Sequence, residues 1–195
     1  MALTLTPGHD ILIVSSNEKF SASVLRTLSE GRYGCIEVRK SASQVKRELV
    51  DRSYDIAIVN TPLSDETGVD LGIDISTRFS TGVIIVTPGD ISEDVAEKVT
   101  DYGIFVLSKP VTAKALKRSV RLMCALIDKL KGVKEKVISL EEKMEEIRIV
   151  NRAKWILIDS DGMSEEDAHR YIGKQAMDRC VSKGDIAREI IASHD

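Results

Sequence analysis

Long hydrophobic runs are missing from this chain of 195 residues. Runs such as Ile11 to Val14 and Gly82 to Val86 fall far short of the roughly 20 apolar residues that a bilayer-spanning helix needs. No basic-then-apolar leader opens the sequence either, so neither a membrane nor a secreted protein is expected. Cysteine is scarce: Cys35, Cys124 and Cys180 are odd in number, scattered and without zinc-ligand spacing, which speaks against a disulfide framework or structural zinc and for the reducing cytoplasm. His9, His169 and His194 lie too far apart in sequence for a metal or triad pattern, and no glycine-rich phosphate loop occurs. No enzyme, metal or cofactor is therefore expected. Aromatic residues make up only 4% of the chain, but 43% is apolar and 30% charged, which suits one or two compact domains with ample length for a buried core.

The formal net charge of −3 hides a segmental asymmetry. Lys plus Arg against Asp plus Glu counts 11 to 16 over residues 1–112, 10 to 6 over 113–151 and 7 to 9 over 152–195. A nucleic-acid partner would have to be met by a local basic patch rather than by a global field.

Residues 1–112 alternate short β-branched runs with amphipathic stretches at a period of roughly 20 to 25 residues. The runs at 11–14, 36–38, 56–59, 83–86 and 104–107 read as five strands, with helices near 18–30, 42–51, 67–79, 92–101 and from 112 onward. Three of the strands are apolar throughout, as parallel strands covered on both faces must be. The pattern predicts an α/β doubly wound five-stranded parallel sheet, with its functional crevice at the carboxyl ends of the strands.

Pro110 is the last proline, and helix formers then dominate for more than forty positions. Met123, Leu126, Leu130, Val133, Val137, Leu140, Met144 and Ile147 recur at a 3-4-3-4 spacing, a coiled-coil stripe that predicts a dimerisation helix over 112–150. Leu130, Val137 and Met144 take the a positions; Leu126, Val133, Leu140 and Ile147 take d, and Asn151 is the next a. The alternative is a lone amphipathic helix packed on its own domain. Flanking charges do not choose an orientation, because in a parallel pair Lys136 would meet Glu141 favourably while Lys143 would face Arg148.

The long helix must stop around Asp159-Ser160-Asp161-Gly162, where Gly162 can supply a left-handed terminus. Ser164 followed by Glu165, Glu166 and Asp167 reads as an N-cap with acids in the first turn, opening a helix to about Cys180. Ser182, with Asp185 three residues on, opens a last helix through Ile191. The end of the long helix and two short ones thus form a minimal C-terminal three-helix bundle.

Taken in order, the five β-α units resemble the receiver domain of bacterial response regulators. Thr87 ends the fourth strand where that family has Ser or Thr, Lys109-Pro110 follows the fifth as its Lys-Pro does, and Phe105 sits at its usual aromatic. The family's chemistry is phosphoryl transfer to an aspartate ending the third strand, helped by Mg²⁺ on an acidic pair after the first. Here those places hold Asn60 and Ser15-Ser16. An amide is no phosphoryl acceptor and hydroxyls do not replace carboxylates as hard ligands. The resemblance therefore implies a degenerate site of Ser15, Ser16, Asn60, Thr87 and Lys109. Asn60 reads either as a turn residue bonding the following Thr61-Pro62 loop, or as part of a polar crevice with Thr87 and Lys109 that takes a small ligand. A third reading pairs Lys109 in a salt bridge with Asp10 or another surface acid.

The segments Arg152-Ala153-Lys154-Trp155-Ile156-Leu157-Ile158, Gly162 to Ala168, Arg170 to Met177 and Asp185 to Ile191 closely resemble the ANTAR domain, an RNA-binding module of transcription antiterminators. Trp155 stands where that motif normally has glycine, His169 where an aromatic is common and Gly173 where a polar residue is usual. The resemblance implies RNA contact by Lys154, Arg170, Lys174, Gln175 and Arg188, supported by Arg152 and Arg179, with Tyr171, Ile172 and Ala176 serving the core. Trp155 either packs against the other two helices or stacks on a base. The whole order resembles the amidase-operon type of antitermination regulator. It implies a cytoplasmic homodimer that binds hairpins in nascent mRNA, with a receiver-like domain (1–111), a coiled-coil helix (112–150) and an ANTAR bundle (151–195), controlled by a regulatory protein or small ligand. The alternative is a non-enzymatic docking or scaffold module of a signalling pathway.

Overall fold

The computed structural model describes residues 8–29, 31 and 33–194. The β-branched runs form β1 (Ile11–Val14), β2 (Ile36–Arg39), β3 (Ile56–Asn60), β4 (Gly82–Thr87) and β5 (Phe105–Ser108). They pair in parallel in the order β2-β1-β3-β4-β5, with Ile11 opposite both Ile36 and Ile56, and Ile84 opposite both Ile58 and Phe105. The chain reverses its direction of advance at β1 and β3, which opens a crevice at the carboxyl ends of those strands.

Helices α1 (Glu18–Leu28), α2 (Ala42–Glu48), α3 (Val69–Arg78) and α4 (Ser92–Val99) connect the strands, and α5 (Ala113–Asp161) follows β5. Asn17 and Ser41 start α1 and α2 by accepting from the N–H groups of Phe20 and Gln44. Successive strand residues point to opposite faces. Leu12, Val14, Ala57 and Val59 meet α2, α3 and α4 through Val45, Leu71, Ile75 and Val99. Ile11, Ile13, Ile58 and Ile84 meet α1 through Val24 and Leu28, and the start of α5 through Leu116, Val120, Met123 and Ile127.

That second layer corrects one expectation. Met123, placed by its spacing in the exposed stripe, is only 4% exposed and belongs to the sheet's core. A β-carbon added at Gly82 would lie 2.4 Å from the Met123 sulfur, so the glycine is what admits this side chain against β4. Leu126, Leu130, Val133, Val137, Leu140, Met144 and Ile147 are all exposed. The chain divides into two compact units within α5, about Leu130 and Lys131, because the first turns of that helix cover the sheet.

In the second unit α5 ends at Asp161, and Gly162 takes a φ of 66°, the left-handed terminus expected of it. Ser164 caps α6 (Glu165–Asp178) by accepting from Asp167 N–H at 3.1 Å. Ser182 and Asp185 form a reciprocal capping box on α7 (Lys183–Ala192). Ala153 and Leu157 of α5, Ala168, Ile172 and Ala176 of α6, and Ile186 and Ala187 of α7 form the buried core, with alanines permitting close helix approach. Glu146 ties α7 to α5 by accepting from Gly184 N–H at 3.2 Å. No helix among the described residues is long and apolar enough to cross a membrane.

Candidate functional site

The carboxyl ends of the central strands bring Ser15, Asn60, Thr87 and Lys109 together, while the Ser16 side chain is exposed. Because β1 and β3 are neighbours, the Asn60 amide donates to Ser15 Oγ at 2.8 Å. This corrects the expected turn role: the Asn60 side chain bonds across strands, not to Thr61-Pro62. Asn60 Oδ1 and Thr87 Oγ1 are buried without hydrogen-bond partners. Lys109 Nζ donates to the Thr61 carbonyl at 2.5 Å, and burial pushes its amine below the usual lysine range. Asp10 is not its partner, because that residue precedes β1 at the opposite end of the sheet and accepts instead from Cys35 N–H at 2.6 Å.

A receiver fold implies Mg²⁺ beside a phosphoryl-accepting carboxylate, and these residues do not fit that group. The acids nearest in sequence are engaged elsewhere. Glu18 pairs with Lys40 at 2.8 Å, and Asp65 accepts from the N–H groups of Ala42 and Ser43 at the start of α2. Each carboxyl is thereby held below its ordinary range, Glu18 by the Lys40 hydrogen bond and Asp65 by the two backbone donors. Among the described residues no cluster of three or more His, Cys, Asp or Glu side chains is arranged to hold a metal. What the crevice offers is a closed polar contact between strands, with two unused acceptor oxygens and one amine.

The second unit carries the basic residues. Ala168, Ile172 and Ala176 set the inward face of α6, and at 100° per residue Arg170 and Lys174 stand on the opposite side. Lys174 is exposed and has no ion pair among the described residues. Arg170 is exposed but engaged with Glu166 at 2.7 Å and Asp167 at 3.5 Å on its own helix. Arg179 grips Glu189 of α7 through two hydrogen bonds at 2.5 and 2.8 Å, which hold the Glu189 carboxyl below its usual range. Arg188 pairs with Asp185 at 2.8 Å, and Lys154, largely buried, with Glu165 at 3.0 Å. Arg152 is exposed and Gln175 half-buried.

Of the two aromatics, Tyr171 is corrected and the packing alternative for Trp155 is not met. Trp155 is 70% exposed, and Tyr171 41%, so neither is a core residue. Trp155 is four residues from Asn151 and therefore on its side of α5, away from the Ala153 and Leu157 face that meets α6 and α7. Sequence reasoning missed Glu146 and Glu189, whose partners are far along the chain. Only the shorter spacings, Glu166 to Arg170 and Asp185 to Arg188, carried a signal.

Comparison with known proteins agrees with this anatomy. Residues 139–191 match the ANTAR domain. The Transcriptional regulatory protein PdtaR of Mycobacterium tuberculosis, in strains CDC 1551 and H37Rv, is 25% identical over 138 residues, which span 70% of this chain and 67% of the relative. The signal receiver domain of an HD domain-containing protein from Pseudomonas fluorescens Pf-5 superimposes with a TM-score of 0.60 at 25% identity, covering 67% of this chain and 97% of that one. The signal receiver domain of a putative LuxO repressor protein from Vibrio parahaemolyticus gives 0.59 at 24% identity, over 66% and 98%. Residues 139–191 are thus similar to an ANTAR domain, and the first unit has a receiver-like fold.

Proposed function

We propose that this chain, an ANTAR domain behind a receiver-like fold, is a cytoplasmic, non-catalytic transcription antiterminator that binds hairpins in nascent mRNA. Two copies join along the exposed apolar row of α5, and their paired bundles hold RNA so that a competing terminator hairpin does not form. Linked bundles bind more tightly than single ones through effective concentration. The observation that carries this reading is the ANTAR match over 139–191, which falls on helices whose solvent side bears Arg170 and Lys174 opposite the core. Basic side chains supply phosphate contacts and Gln175 an amide for an exposed base edge.

Control comes through a regulatory protein or small ligand acting on the receiver-like domain, because the crevice of Ser15, Asn60, Thr87 and Lys109 offers no carboxylate to phosphorylate. The exposed row from Leu126 to Ile147 favours a second reading, a non-enzymatic docking or scaffold module whose apolar stripe binds another protein. Single-round transcription from templates with a hairpin-bearing leader and a terminator separates the two. Read-through that rises with added protein supports antitermination; unchanged termination on templates whose leader RNA the protein binds refutes it.

A further inference from the structure

Trp155 is the only tryptophan in the chain, and its ring is mostly exposed, as are Tyr171 and Met177 of the same unit. It does not stand alone. Asn151, Lys154, Trp155, Ile158 and Glu165 line a surface pocket of about 250 Å³. Asn151 and Lys154 also line an adjoining open pocket of about 350 Å³, together with Glu146, Ile147, Val150, His169 and Lys183. The first is smaller than the 300 to 1,000 Å³ typical of drug-sized ligands, yet ample for one planar ring system.

The charges along this trough are unequal in availability. Glu165 is paired with Lys154 and Glu146 accepts from Gly184 N–H, whereas Lys183 is exposed and has no ion pair among the described residues. The trough is bordered by His169, and Gly173 lies near Lys183, where a β-carbon would meet nothing closer than that side chain at 3.8 Å. His169 is about 100° around α6 from Arg170, as Gly173 is from Lys174, so the trough flanks the basic face already described, and Lys154 lines it. The apolar row of α5 also gives way here to Asn151 and Lys154, which a continuous apolar seam between two copies would have to bury.

We propose that this trough is a second RNA contact, in which an unpaired base stacks on the Trp155 indole, Asn151 hydrogen-bonds the base edge and Lys183 meets the neighbouring phosphate. The inference rests on the RNA-binding reading and adds to it a stacking contact by Trp155, Asn151 and Lys183; the base must be unpaired, because a base inside a duplex presents no free face. Glycine at this position, the ordinary residue of the motif, has no ring to offer, so the contact is particular to a chain with tryptophan here.

The test uses the full chain and hairpin RNAs selected from a library with a fixed stem and randomised loop. Since the chain has one tryptophan, its emission reports on the ring directly. Selected hairpins should quench that emission, while a loopless duplex of the same stem should not. By anisotropy of labelled RNA, Trp155→Leu should weaken binding roughly 5- to 100-fold, whereas Trp155→Phe, which keeps a π-face, should retain most of it. Hairpins that bind with unchanged emission and equal affinity for the parent and Trp155→Leu would overturn the stacking contact and leave RNA binding intact. Emission that changes on dilution of the protein but not with RNA would assign the ring to a seam between copies and overturn it as well. Failure of every hairpin to bind the parent would refute the RNA reading itself, and the contact with it.

Discussion

The ion pairs of the second unit make a quantitative test of the basic face. To reach phosphate, Arg179 must leave Glu189, with which it forms two hydrogen bonds at 2.5 and 2.8 Å, while Lys174 has nothing to leave. Both partners of the Arg179 pair are about half exposed, at 47% and 56%, so its worth is that of a surface pair, roughly 0.2 to 1 kcal/mol. Glu189→Gln removes that competitor, and hairpin affinity should rise by a factor of about 1.4 to 5. Lys174→Ala should do the opposite: one phosphate contact is lost, affinity falls, and the log–log salt dependence flattens by about 0.7 to 0.9. Neither change touches the Ala168, Ile172 and Ala176 core, so circular dichroism and sedimentation should match the parent. The assay is equilibrium binding of a cognate hairpin at several salt concentrations. An unaltered affinity and slope for Lys174→Ala would refute the chosen face. A fall in affinity for Glu189→Gln would show that Arg179 serves to hold α6 against α7 instead of contacting RNA.

Other consequences are as direct. Incubation with a small phosphodonor and Mg²⁺ should leave the intact mass unchanged, since Asn60 and the two serines have no acceptor carboxylate; a stoichiometric phosphoryl gain would defeat the degenerate-site reading. Replacing Val137 and Leu140 with charged residues should convert dimers to monomers in sedimentation, because unpaired charge in a buried seam costs several kcal/mol; an unchanged dimer would place the interface elsewhere. Met123→Ala should lower the unfolding free energy of the receiver-like unit by about 2 to 5 kcal/mol, as large-to-small changes in a packed core do; a loss well under 1 kcal/mol, read by urea titration, would contradict its placement over Gly82.

The strands were legible because parallel strands buried on both faces must be apolar without interruption, and Ile11–Val14 and Ile56–Val59 are. The ends of the bundle helices were equally legible, since Gly162, Ser164 and Ser182 act on their own immediate neighbours. Met123 departs from its spacing for a physical reason: a helix covering a sheet and a helix covering its twin show the same 3-4 spacing, and a stripe does not say what lies on it. Trp155 was open for the same reason, and the exposure of its ring follows only from where Ala153 and Leu157 turn α5. The Asn60 to Ser15 bond was latent in the topology, since both residues end strands that the doubly wound order makes adjacent, but a side-chain partner far along the chain leaves no mark in local sequence. Arg179 with Glu189 and Glu146 with Gly184 belong to that class too.

Antitermination itself is tested most directly by sequencing the RNA that co-purifies with the protein. The account predicts enrichment of tandem hairpins lying beside terminators, reduced along with affinity in Lys174→Ala. Recovery of the protein with no enriched RNA, or with RNA lacking hairpins near terminators, would contradict it.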